Sequence, residues 1–386
     1  MNRKVSDMKK LIRLTTADIS LNLLLKGQLR FLNQYFEVVG VSSDTGLLKG
    51  VGEREGIRTI AVPMHREIAL GADIVCLWKL YRLFRRERPD ILHSNTPKGS
   101  LLAMIAGWLA RVPVRIYLVT GLRYQGANGM LRWVLRTMER LTCRFATKVI
   151  PEGNGVKQAL IADHITQKPL EILHYGNING LDTSYFSPNV ALRAQQRERL
   201  GFSDDDFVFI FIGRIVKDKG MNELAWAMRQ LVSNHPHARL LLVGPFESEL
   251  DPLEGDNEQF FREHSSVAYV GYQADVRPFL AAADALVFPS YREGFPNVVL
   301  QAGAMGLPSI VTDINGCNEV ITDGVNGRII QPRDREALLQ MMSLFVEDAA
   351  HVSAMAEKAR AVICERYDQQ DVWQALLEMY LGLVES

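Results

Sequence analysis

The sequence predicts an α/β protein in which buried parallel strands alternate with helices. Two short runs, residues 207–212 and 285–288, are apolar throughout, which is typical of strands covered on both faces. Each run is followed by a polar loop and then by apolar residues at helical spacing. The chain has 386 residues, which is long enough for two domains that each bury their own core.

The composition is that of a soluble globular protein, with 47% apolar and 23% charged residues. No apolar run approaches the ~18 residues of a membrane-spanning helix, and we expect no signal peptide. Four cysteines lack the spacing of a metal site, so we expect reduced thiols of a cytoplasmic protein. These are Cys76, Cys143, Cys317 and Cys364.

Charge is distributed unevenly along the chain. Residues 1–187 hold 27 Lys and Arg against 15 Asp and Glu, a net charge of +12. Residues 188–386 hold 17 against 29, a net charge of −12. A basic half indicates a polyanionic partner. We weigh nucleic acid against an anionic membrane surface or a phosphate-bearing acceptor, and we expect one of the latter two and no nucleic acid.

The first half predicts alternating strands and helices. Strands are predicted at residues 10–16, 36–42, 59–62, 89–93, 114–120, 148–151 and 170–173. Helices are predicted at 74–88, 100–110, 130–145 and from residue 154, and a loop at 18–26 leads to a helix that begins near Gly27.

Two of these helices are basic and amphipathic. The helix at 74–88 combines Trp78 with several Lys and Arg residues, and the helix at 130–145 combines Trp133 with four arginines. Such helices lie on membrane surfaces. The alternative is a crossover helix that packs on the sheet and turns its basic face to solvent. The presence of two such helices in one half favours the membrane surface.

The second half predicts the same alternation. Strands are predicted at 207–212, 239–244, 267–272, 285–288 and 309–312. Helices are predicted at 275–283, 297–305, 334–347, 350–366 and 369–383, and an acidic loop and helix at 247–263. The run Asp204–Asp206 precedes a strand and is interpreted as a solvated turn. No Asp-x-Asp metal motif lies at a strand end, so we expect no metal.

The loop after strand 207–212 gathers groups that suit a diphosphate. It holds Gly213, Arg214, Lys219 and Gly220 before a helix begins. An arginine offers a planar fork of donors and a lysine a point charge. The alternative is an ordinary solvated loop. The chain contains no G-x-x-x-x-G-K-[ST] sequence, which excludes an ATPase phosphate loop of that type.

The loop after strand 285–288 is the second candidate site. Glu293 lies at the carboxyl end of a predicted parallel strand, where open α/β sheets bind ligands. The amides of Gly294, Phe295 and Asn297 lie at a helix N-terminus, which favours phosphate. Gln301 lies one helical turn after Asn297, on the same side of the helix.

These two loops resemble the donor site of the retaining nucleotide-sugar glycosyltransferases of family 4. The family's E-G-F-P sequence and its second acidic position correspond to Glu293, Gly294, Phe295, Pro296 and Gln301. Its G-R-x-x-x-x-K-G pattern corresponds to Gly213, Arg214, Lys219 and Gly220. The resemblance implies the GT-B fold, in which two Rossmann-like domains face each other and the active site lies in the interdomain cleft.

The resemblance also implies roles for these residues. Glu293 would contact the donor sugar, and Arg214 and Lys219 would grip the diphosphate and stabilise it as it leaves. Gln301 stands where the family has a Glu that binds the ribose, and its amide oxygen still accepts hydrogen bonds. Residues 24–29 resemble the family's glycine loop, with Gly27, and residues 267–272 resemble its base-binding segment, with Tyr272.

The acceptor side is predicted on the loops that follow strands 89–93 and 114–120. Family members often carry a histidine at the position of Thr120, and His93 is the nearest alternative. His93 would contact an acceptor, or it would hydrogen-bond its own loop. The acceptor-side candidates are His93, Asn95, Lys98, Thr120 and Arg123.

We therefore expect an acceptor domain at 1–187, a nucleotide-sugar domain at 188–366, and a helix at 367–386 that returns to the first domain. The expected enzyme moves a sugar from a UDP-sugar, or alternatively a GDP-sugar, to a lipid-linked or saccharide acceptor. We expect it at the inner face of a bacterial cell membrane. Two alternatives remain: a nucleotide-sugar 2-epimerase of the same fold, and an inactive sugar-nucleotide-binding subunit.

Overall fold

The computed structural model describes residues 8–65, 69–249 and 251–385. They form two compact units. The first unit ends at Gly180 and includes the C-terminal helix from Gln369, and the second runs Leu181–Asp368. The boundary predicted near residue 187 lies within the second unit.

The first unit is built on a six-stranded parallel sheet. Its strands are β1 (Lys10–Ala17), β2 (Glu37–Ser43), β3 (Arg58–Ala61), β4 (Ile91–Ser94), β5 (Val114–Val119) and β6 (Lys148–Pro151). Its helices are α1 (Asp18–Leu24), α2 (Gln28–Leu32), α3 (Leu48–Glu55), α4 (Leu70–Glu87), α5 (Pro97–Leu109), α6 (Gly129–Phe145), α7 (Asn154–Ala162) and α16 (Gln369–Glu385). The strand order is β3-β2-β1-β4-β5-β6.

The first sheet is covered by hydrophobic clusters on both faces. On β1, Ile12 and Leu14 pack into the cluster formed with α4, α5 and α6, whereas Leu11 packs into the cluster formed with α1, α2 and α16. Alternate residues of a strand point to opposite faces. A strand that is covered on both faces is therefore apolar throughout, which is why these strands could be predicted from the sequence.

Two predictions for the first unit are wrong, and one helix was missed. Residues 18–24 form helix α1 instead of a loop, because Leu21 is fully buried against the sheet. Residues 170–173 form no strand, since only Leu170 pairs with β6, in an isolated bridge. Helix α3 was not predicted, because its two glycines weaken the helical pattern, yet it buries Leu48 and Val51.

A buried polar network joins helix α16 to the first sheet. The Arg13 Nη1 group donates to the Tyr380 hydroxyl over 2.7 Å and also contacts Nδ1 of His93. All three side chains are fully buried. Burial and the neighbouring Arg13 charge lower the pKa of His93 well below its usual value, so its imidazole is neutral and its Nδ1 accepts hydrogen bonds.

The second unit repeats the plan of the first. Its strands are β7 (Phe207–Ile212), β8 (Ala238–Val243), β9 (Val267–Tyr269), β10 (Ala285–Phe288), β11 (Ser309–Thr312) and β12 (Gly327–Ile330). Its helices are α8 (Val190–Leu200), α9 (Met221–Asn234), α10 (Asn257–Glu263), α11 (Arg277–Ala282), α12 (Asn297–Ala304), α13 (Cys317–Val320), α14 (Arg335–Glu347) and α15 (Ala349–Arg366). All strands are parallel, in the order β12-β11-β10-β7-β8-β9.

The turn before β7 differs from its predicted form. Asp206 is buried instead of solvated, and its Oδ1 lies 2.9 Å from Nη2 of Arg239 on β8. Its carboxylate also accepts a hydrogen bond from the Ser203 amide over 2.7 Å. The pairing partner lies on the next strand, so the sequence of the turn alone did not indicate it.

Helix α6 carries an acidic side chain in the interior of the first unit. Glu139 is buried, and its Oε2 accepts a hydrogen bond from the Tyr117 hydroxyl over 2.8 Å. Burial raises the pKa of Glu139 to about 7, and the hydrogen bond from Tyr117 offsets part of that rise. The ordinary pKa of a glutamate is 4.5. At a pH between 4.5 and about 7, the folded protein therefore keeps a proton on Glu139 that the unfolded chain has lost.

Stability should therefore fall as the pH rises from about 4.5 to 7, and Glu139→Gln should remove that fall. We expect the free energy of unfolding of the variant to equal that of the wild type at pH 4.5. Above pH 7 the value for the variant should be higher by roughly 3 kcal/mol. Urea unfolding followed by tryptophan fluorescence measures this, since Trp78, Trp108, Trp133 and Trp373 lie in the first unit.

Glu53→Gln is the matched control, because Glu53 lies on the surface of α3. It should show the same pH dependence as the wild type. The difference in the free energy of unfolding between Glu139→Gln and the wild type should change with pH. If this difference were the same at pH 4.5 and pH 8, Glu139 would not hold a buried proton.

Candidate functional site

The two predicted donor-site loops lie at one crevice of the second unit. Strands β7 and β10 are neighbours at the point where the strand order reverses. Residues 213–220 follow β7, and residues 289–296 follow β10. The connections leave such a reversal in opposite directions, and the crevice between them is the usual ligand site of an open α/β sheet.

Glycine is required where the loops after β7 and β8 touch. Gly244 has φ +140°, and a Cβ atom built on it would lie 1.9 Å from the Gly213 carbonyl oxygen. The Gly213 amide in turn donates to the Val243 carbonyl over 2.9 Å. These contacts fix the start of the loop that carries Arg214. The Arg214 side chain is half exposed, and its Nη1 lies 2.9 Å from Oε2 of Glu247.

A second close approach joins the loops after β7 and β10. Gly220 has φ +71°, and a Cβ atom on it would lie 2.1 Å from the Pro289 carbonyl oxygen. The Tyr291 amide donates to the Asp218 carbonyl over 3.0 Å. The two loops therefore hold each other through backbone contacts, and the adjacent Lys219 is brought to Glu293.

Lys219 and Glu293 form an ion pair at the centre of the crevice. The Lys219 ammonium contacts Oε1 of Glu293, and both side chains are largely buried, at 14% and 18% exposure. The same Oε1 accepts a hydrogen bond from the Ser290 hydroxyl over 3.0 Å. The crevice thus holds one carboxylate with a cation beside it, and the second cation, Arg214, lies on the same loop as Lys219.

The predicted helix N-terminus forms as expected, since α12 begins at Asn297. Phe295 is buried, with its ring 5.6 Å from that of Tyr367, so its side chain belongs to the core and only its amide is available to a ligand. Gly316 has φ +76°, and a Cβ atom on it would lie 2.7 Å from the Gly294 carbonyl oxygen. Gly316 therefore packs closely against the loop 293–296 and supports it.

The remaining donor-side candidates are accessible. Gln301 is half-buried on α12, and its side chain makes no hydrogen bond within the part of the chain that the structure describes. Tyr272 follows β9 and is 75% exposed. Both residues belong to the unit that holds Glu293. In the described residues, no group of three or more His, Cys, Asp or Glu side chains is arranged to hold a metal ion.

Four acceptor-side candidates lie at the carboxyl ends of β4 and β5. Lys98, in the first turn of α5, is buried and its Nζ lies 2.7 Å from Oδ1 of Asp73. Lys98 and Arg123 line one small cavity together with Glu139. The Thr120 hydroxyl donates to the Asn95 carbonyl over 3.1 Å, and the Asn95 amide group is buried without a hydrogen bond in the described part of the chain.

His93 is not an acceptor residue, and both expectations for it are wrong. Its side chain points into the core, where it contacts Arg13 on β1 and Tyr380 on α16. It is fully buried, and the side-chain hydrogen bonds that it makes to described residues go to Arg13 and Tyr380. From the sequence, a histidine near a strand end could point to either face of the sheet. The face is decided by partners that are distant in sequence.

Gly27 is also not part of a phosphate-binding loop. It lies between α1 and α2, with φ +82°, and a Cβ atom on it would lie 2.7 Å from the ring of Trp373. Its amide donates to both carboxylate oxygens of Glu55 over 3.1 Å. The glycine is therefore required by the packing of α16, and its amide is occupied.

Two functional neighbours were missed in the sequence. Ser290 contacts Glu293 from a position three residues earlier. The available signal was a small hydroxyl residue two positions after the end of a strand. Glu247, which pairs with Arg214, lies 33 residues further along the chain, and no local pattern marks it.

The chain matches two models of glycosyltransferase domains. "Glycosyl transferase 4-like domain" matches residues 35–176, and "Glycosyl transferases group 1" matches residues 193–362. Together these matches cover most of both units, and the second contains every predicted donor-site residue except Gly27.

Curated relatives align over nearly the whole chain. The capsular polysaccharide biosynthesis glycosyltransferase CapM of Staphylococcus aureus is 30% identical over 375 residues, which cover 96% of this chain and 97% of the relative. The UDP-Gal:alpha-D-GlcNAc-diphosphoundecaprenol alpha-1,3-galactosyltransferase of Escherichia coli is 25% identical over 357 residues, or 91% and 90% of the two chains.

Solved structures share the fold. Anabaena Alr3699/HepE in complex with UDP superimposes with a TM-score of 0.83 at 21% identity, over 97% of this chain and 100% of that one. Its complex with UDP-glucose gives a TM-score of 0.82 at 22% identity, over 97% and 99%. These likenesses confirm the predicted GT-B fold.

The CapM alignment spans both chains at 30% identity, and the matched domains contain the predicted Arg214–Lys219 and Glu293–Gln301 segments. The resemblance inferred from these segments is thus confirmed. The chain belongs to the group 1 and 4-like family of glycosyl transferases, and it is a glycosyltransferase of the GT-B fold.

Proposed function

We propose that this glycosyltransferase moves a sugar from a UDP-sugar to a lipid-linked or saccharide acceptor during assembly of a bacterial surface polysaccharide. One observation carries the proposal: the Glu293 carboxylate and the Lys219 ammonium meet at the reversal of the second sheet, with Arg214 on the same loop. CapM and the E. coli galactosyltransferase, both aligned over nearly the full chain, support the polysaccharide and lipid-linked context.

The donor is best described as a UDP-sugar, with a GDP-sugar as the alternative. A structural neighbour with the same fold was solved with UDP and with UDP-glucose. In this chain Tyr272 would lie by the base, and Gln301 would bind the ribose hydroxyls with its amide group. The amides of Gly294, Phe295 and Asn297, at the start of α12, would face the phosphates.

Arg214 and Lys219 are the two cations that would bind the diphosphate. Arg214 and Lys219 each pair with a carboxylate, namely Glu247 and Glu293. A diphosphate carries more charge than either carboxylate and would draw both cations to itself. As the bond to the sugar breaks, the same two groups stabilise the charge that develops on the leaving diphosphate. We propose that this stabilisation needs no metal ion.

Glu293 acts on the sugar side of that bond. Positive charge develops at the anomeric carbon as the diphosphate leaves, and a fixed carboxylate nearby lowers the energy of that state. Lys219 would move towards the diphosphate when the donor binds, so the Glu293 carboxylate would lose its partner cation and face the sugar alone. We propose transfer with retention of the anomeric configuration, as in the retaining family that the loops resemble.

The acceptor would bind at the first unit. Asn95, Lys98, Thr120 and Arg123 follow β4 and β5, whose carboxyl ends lie beside the reversal at β1 and β4 in that sheet. Arg123 is exposed, and Asn95 has both amide atoms free of hydrogen bonds in the described residues. Cationic and amide groups suit the hydroxyls and phosphates of a lipid-linked saccharide.

A membrane-binding surface is proposed on helices α4, α5 and α6. Helix α4 packs against α5, and α5 packs against α6, so the three form one layer. Each helix exposes a tryptophan: Trp78 at 59%, Trp108 at 51% and Trp133 at 64%. Tryptophan favours the membrane–water interface, where its ring is half in an apolar medium.

The same layer is basic, which fits an anionic surface. Its exposed cations are Lys79, Arg82, Arg85, Arg86, Arg132, Arg140 and Arg144. No helix in the described parts of the chain is long and apolar enough to span a bilayer. We therefore propose peripheral binding at the cytoplasmic face of the bacterial membrane, where anionic lipids attract basic helices.

Removing either cation of the donor site should weaken UDP binding. For Arg214→Ala and Lys219→Ala we expect a loss of ~1.5–3 kcal/mol each, the value of a charged hydrogen bond, with uridine affinity nearly unchanged. Lys217→Ala is the matched control, because Lys217 lies in the same loop but pairs with Glu254. If both variants bound UDP as the wild type does in calorimetry, the diphosphate would lie elsewhere.

The protein should sediment with anionic vesicles of phosphatidylglycerol at low salt and dissociate as salt screens the charges. The double variant Trp78→Ser/Trp133→Ser should bind less at every salt concentration, because it loses two interfacial anchors. Val190→Ser is the control, since Val190 is an exposed apolar residue of the second unit. Equal binding to neutral and anionic vesicles would argue against this surface.

Removing the charge of Glu293 should stop transfer but not binding. Glu293→Gln keeps the shape of the side chain, and turnover should fall roughly 10²-fold or more, as for loss of a preorganised charge. UDP affinity should stay near that of the wild type. Radiolabelled UDP-sugars incubated with membrane extract measure transfer. Glu223→Gln is the control, because Glu223 accepts from the Tyr291 hydroxyl of the same loop over 2.7 Å.

Other outcomes of this assay identify other functions. A wild type that binds UDP-sugars, transfers nothing, and is indistinguishable from Glu293→Gln would be an inactive binding subunit. Release of free sugar that ignores the acceptor would indicate an epimerase. Gln301→Glu should keep turnover, since it restores the common family residue at the ribose.

A further inference from the structure

We infer that Ser290 is a positioning residue, which fixes one oxygen of the Glu293 carboxylate and so reserves the other oxygen for the donor sugar. This inference rests on the proposed function of Glu293 and extends it to a residue outside the E-G-F-P sequence. It is carried by the contacts of the loop that follows β10.

The Ser290 hydroxyl has one proton and two acceptors within reach. Its Oγ lies 3.0 Å from Oε1 of Glu293 and 3.3 Å from the Arg292 carbonyl oxygen. The carboxylate is nearer and charged, and charged acceptors form the stronger hydrogen bonds. The hydroxyl therefore donates to Glu293. Ser290 is fully buried, so no water competes for this proton.

The backbone around Ser290 is held on three sides. Its carbonyl oxygen accepts a hydrogen bond from the Thr312 hydroxyl on β11. The Pro289 carbonyl before it rests against Gly220, and the Tyr291 amide after it donates to the Asp218 carbonyl over 3.0 Å. A side chain with one rotatable bond on a fixed backbone sets the place of its hydroxyl closely.

The two oxygens of Glu293 are consequently not equivalent. Oε1 accepts from the Ser290 hydroxyl and also pairs with Lys219. Oε2 accepts no hydrogen bond from any residue that the structure describes. Each carboxylate oxygen can accept two hydrogen bonds, and the side chain is 18% exposed. Oε2 is thus the oxygen open to sugar hydroxyls and to the anomeric carbon.

Ser290 and Lys219 differ in what a donor does to them. The diphosphate draws Lys219 away from Glu293, whereas the buried Ser290 hydroxyl has no ligand atom to turn to. In the complex with donor, Ser290 alone keeps Oε1 in place. Its loss should therefore impair the chemical step, which needs the oriented carboxylate, and leave nucleotide binding unchanged.

The experiment compares Ser290→Ala with the wild type in steady-state transfer and in UDP calorimetry. We expect kcat to fall roughly 10- to 100-fold, the worth of a hydrogen bond to a charged group, with donor KM and UDP Kd within about 2-fold, since Lys219 is untouched. Ser290→Thr keeps the hydroxyl and should recover most of kcat. If Ser290→Ala does not fold, Ser290→Cys, a weaker donor of similar size, replaces it.

Ser309→Ala is the matched control. Ser309 is also fully buried, on β11, and its hydroxyl has no hydrogen bond in the described part of the chain. Removing it deletes the same atom from the same unit without touching Glu293, so its kcat should equal that of the wild type.

A double-mutant cycle separates positioning from general packing. If Ser290 acts through Glu293, Ser290→Ala should lower kcat little further in a protein that already carries Glu293→Gln. An equal fall of kcat in both backgrounds, an unchanged kcat in Ser290→Ala, or a loss of UDP affinity with kcat intact would each overturn the inference. A wild type that forms no product from any nucleotide sugar would instead overturn the proposed function, and the inference with it.

Discussion

The candidate donor site depends on the contact between Gly220 and the Pro289 carbonyl. No side chain fits at residue 220, because its φ is positive and a Cβ atom would lie 2.1 Å from that oxygen. The loops after β7 and β10 therefore touch through their backbones. Lys219 precedes this contact and Glu293 follows it, so the contact places an ammonium group against a carboxylate.

This arrangement gives each cation of the candidate site a carboxylate partner. Lys219 pairs with Glu293, and Arg214 pairs with Glu247. We propose that a diphosphate binds by exchanging partners, in that it would take both cations from their carboxylates. Burying a lone carboxylate is costly, and the ion pair with Lys219 offsets that cost for Glu293.

The strands and the positions of the two candidate donor loops could be predicted from the sequence because both are local features. Continuous apolar runs mark strands buried on two faces, and Arg214, Lys219 and Glu293 lie within short segments of fixed spacing. His93 and Gly27 were misread because their partners, Tyr380 and Trp373, arrive on the last helix of the chain. Sequence patterns report local spacing, and they do not report which distant element covers a residue.

The most direct measurement is a crystal structure of the protein with UDP. We predict that the diphosphate lies against residues 213–220, with Arg214 and Lys219 turned from their carboxylates to its oxygens. We also predict that the Ser290 hydroxyl still donates to Oε1 of Glu293 while Oε2 faces the position of the sugar. A diphosphate bound away from this loop, with the Lys219–Glu293 pair intact, would contradict the assignment of the donor site.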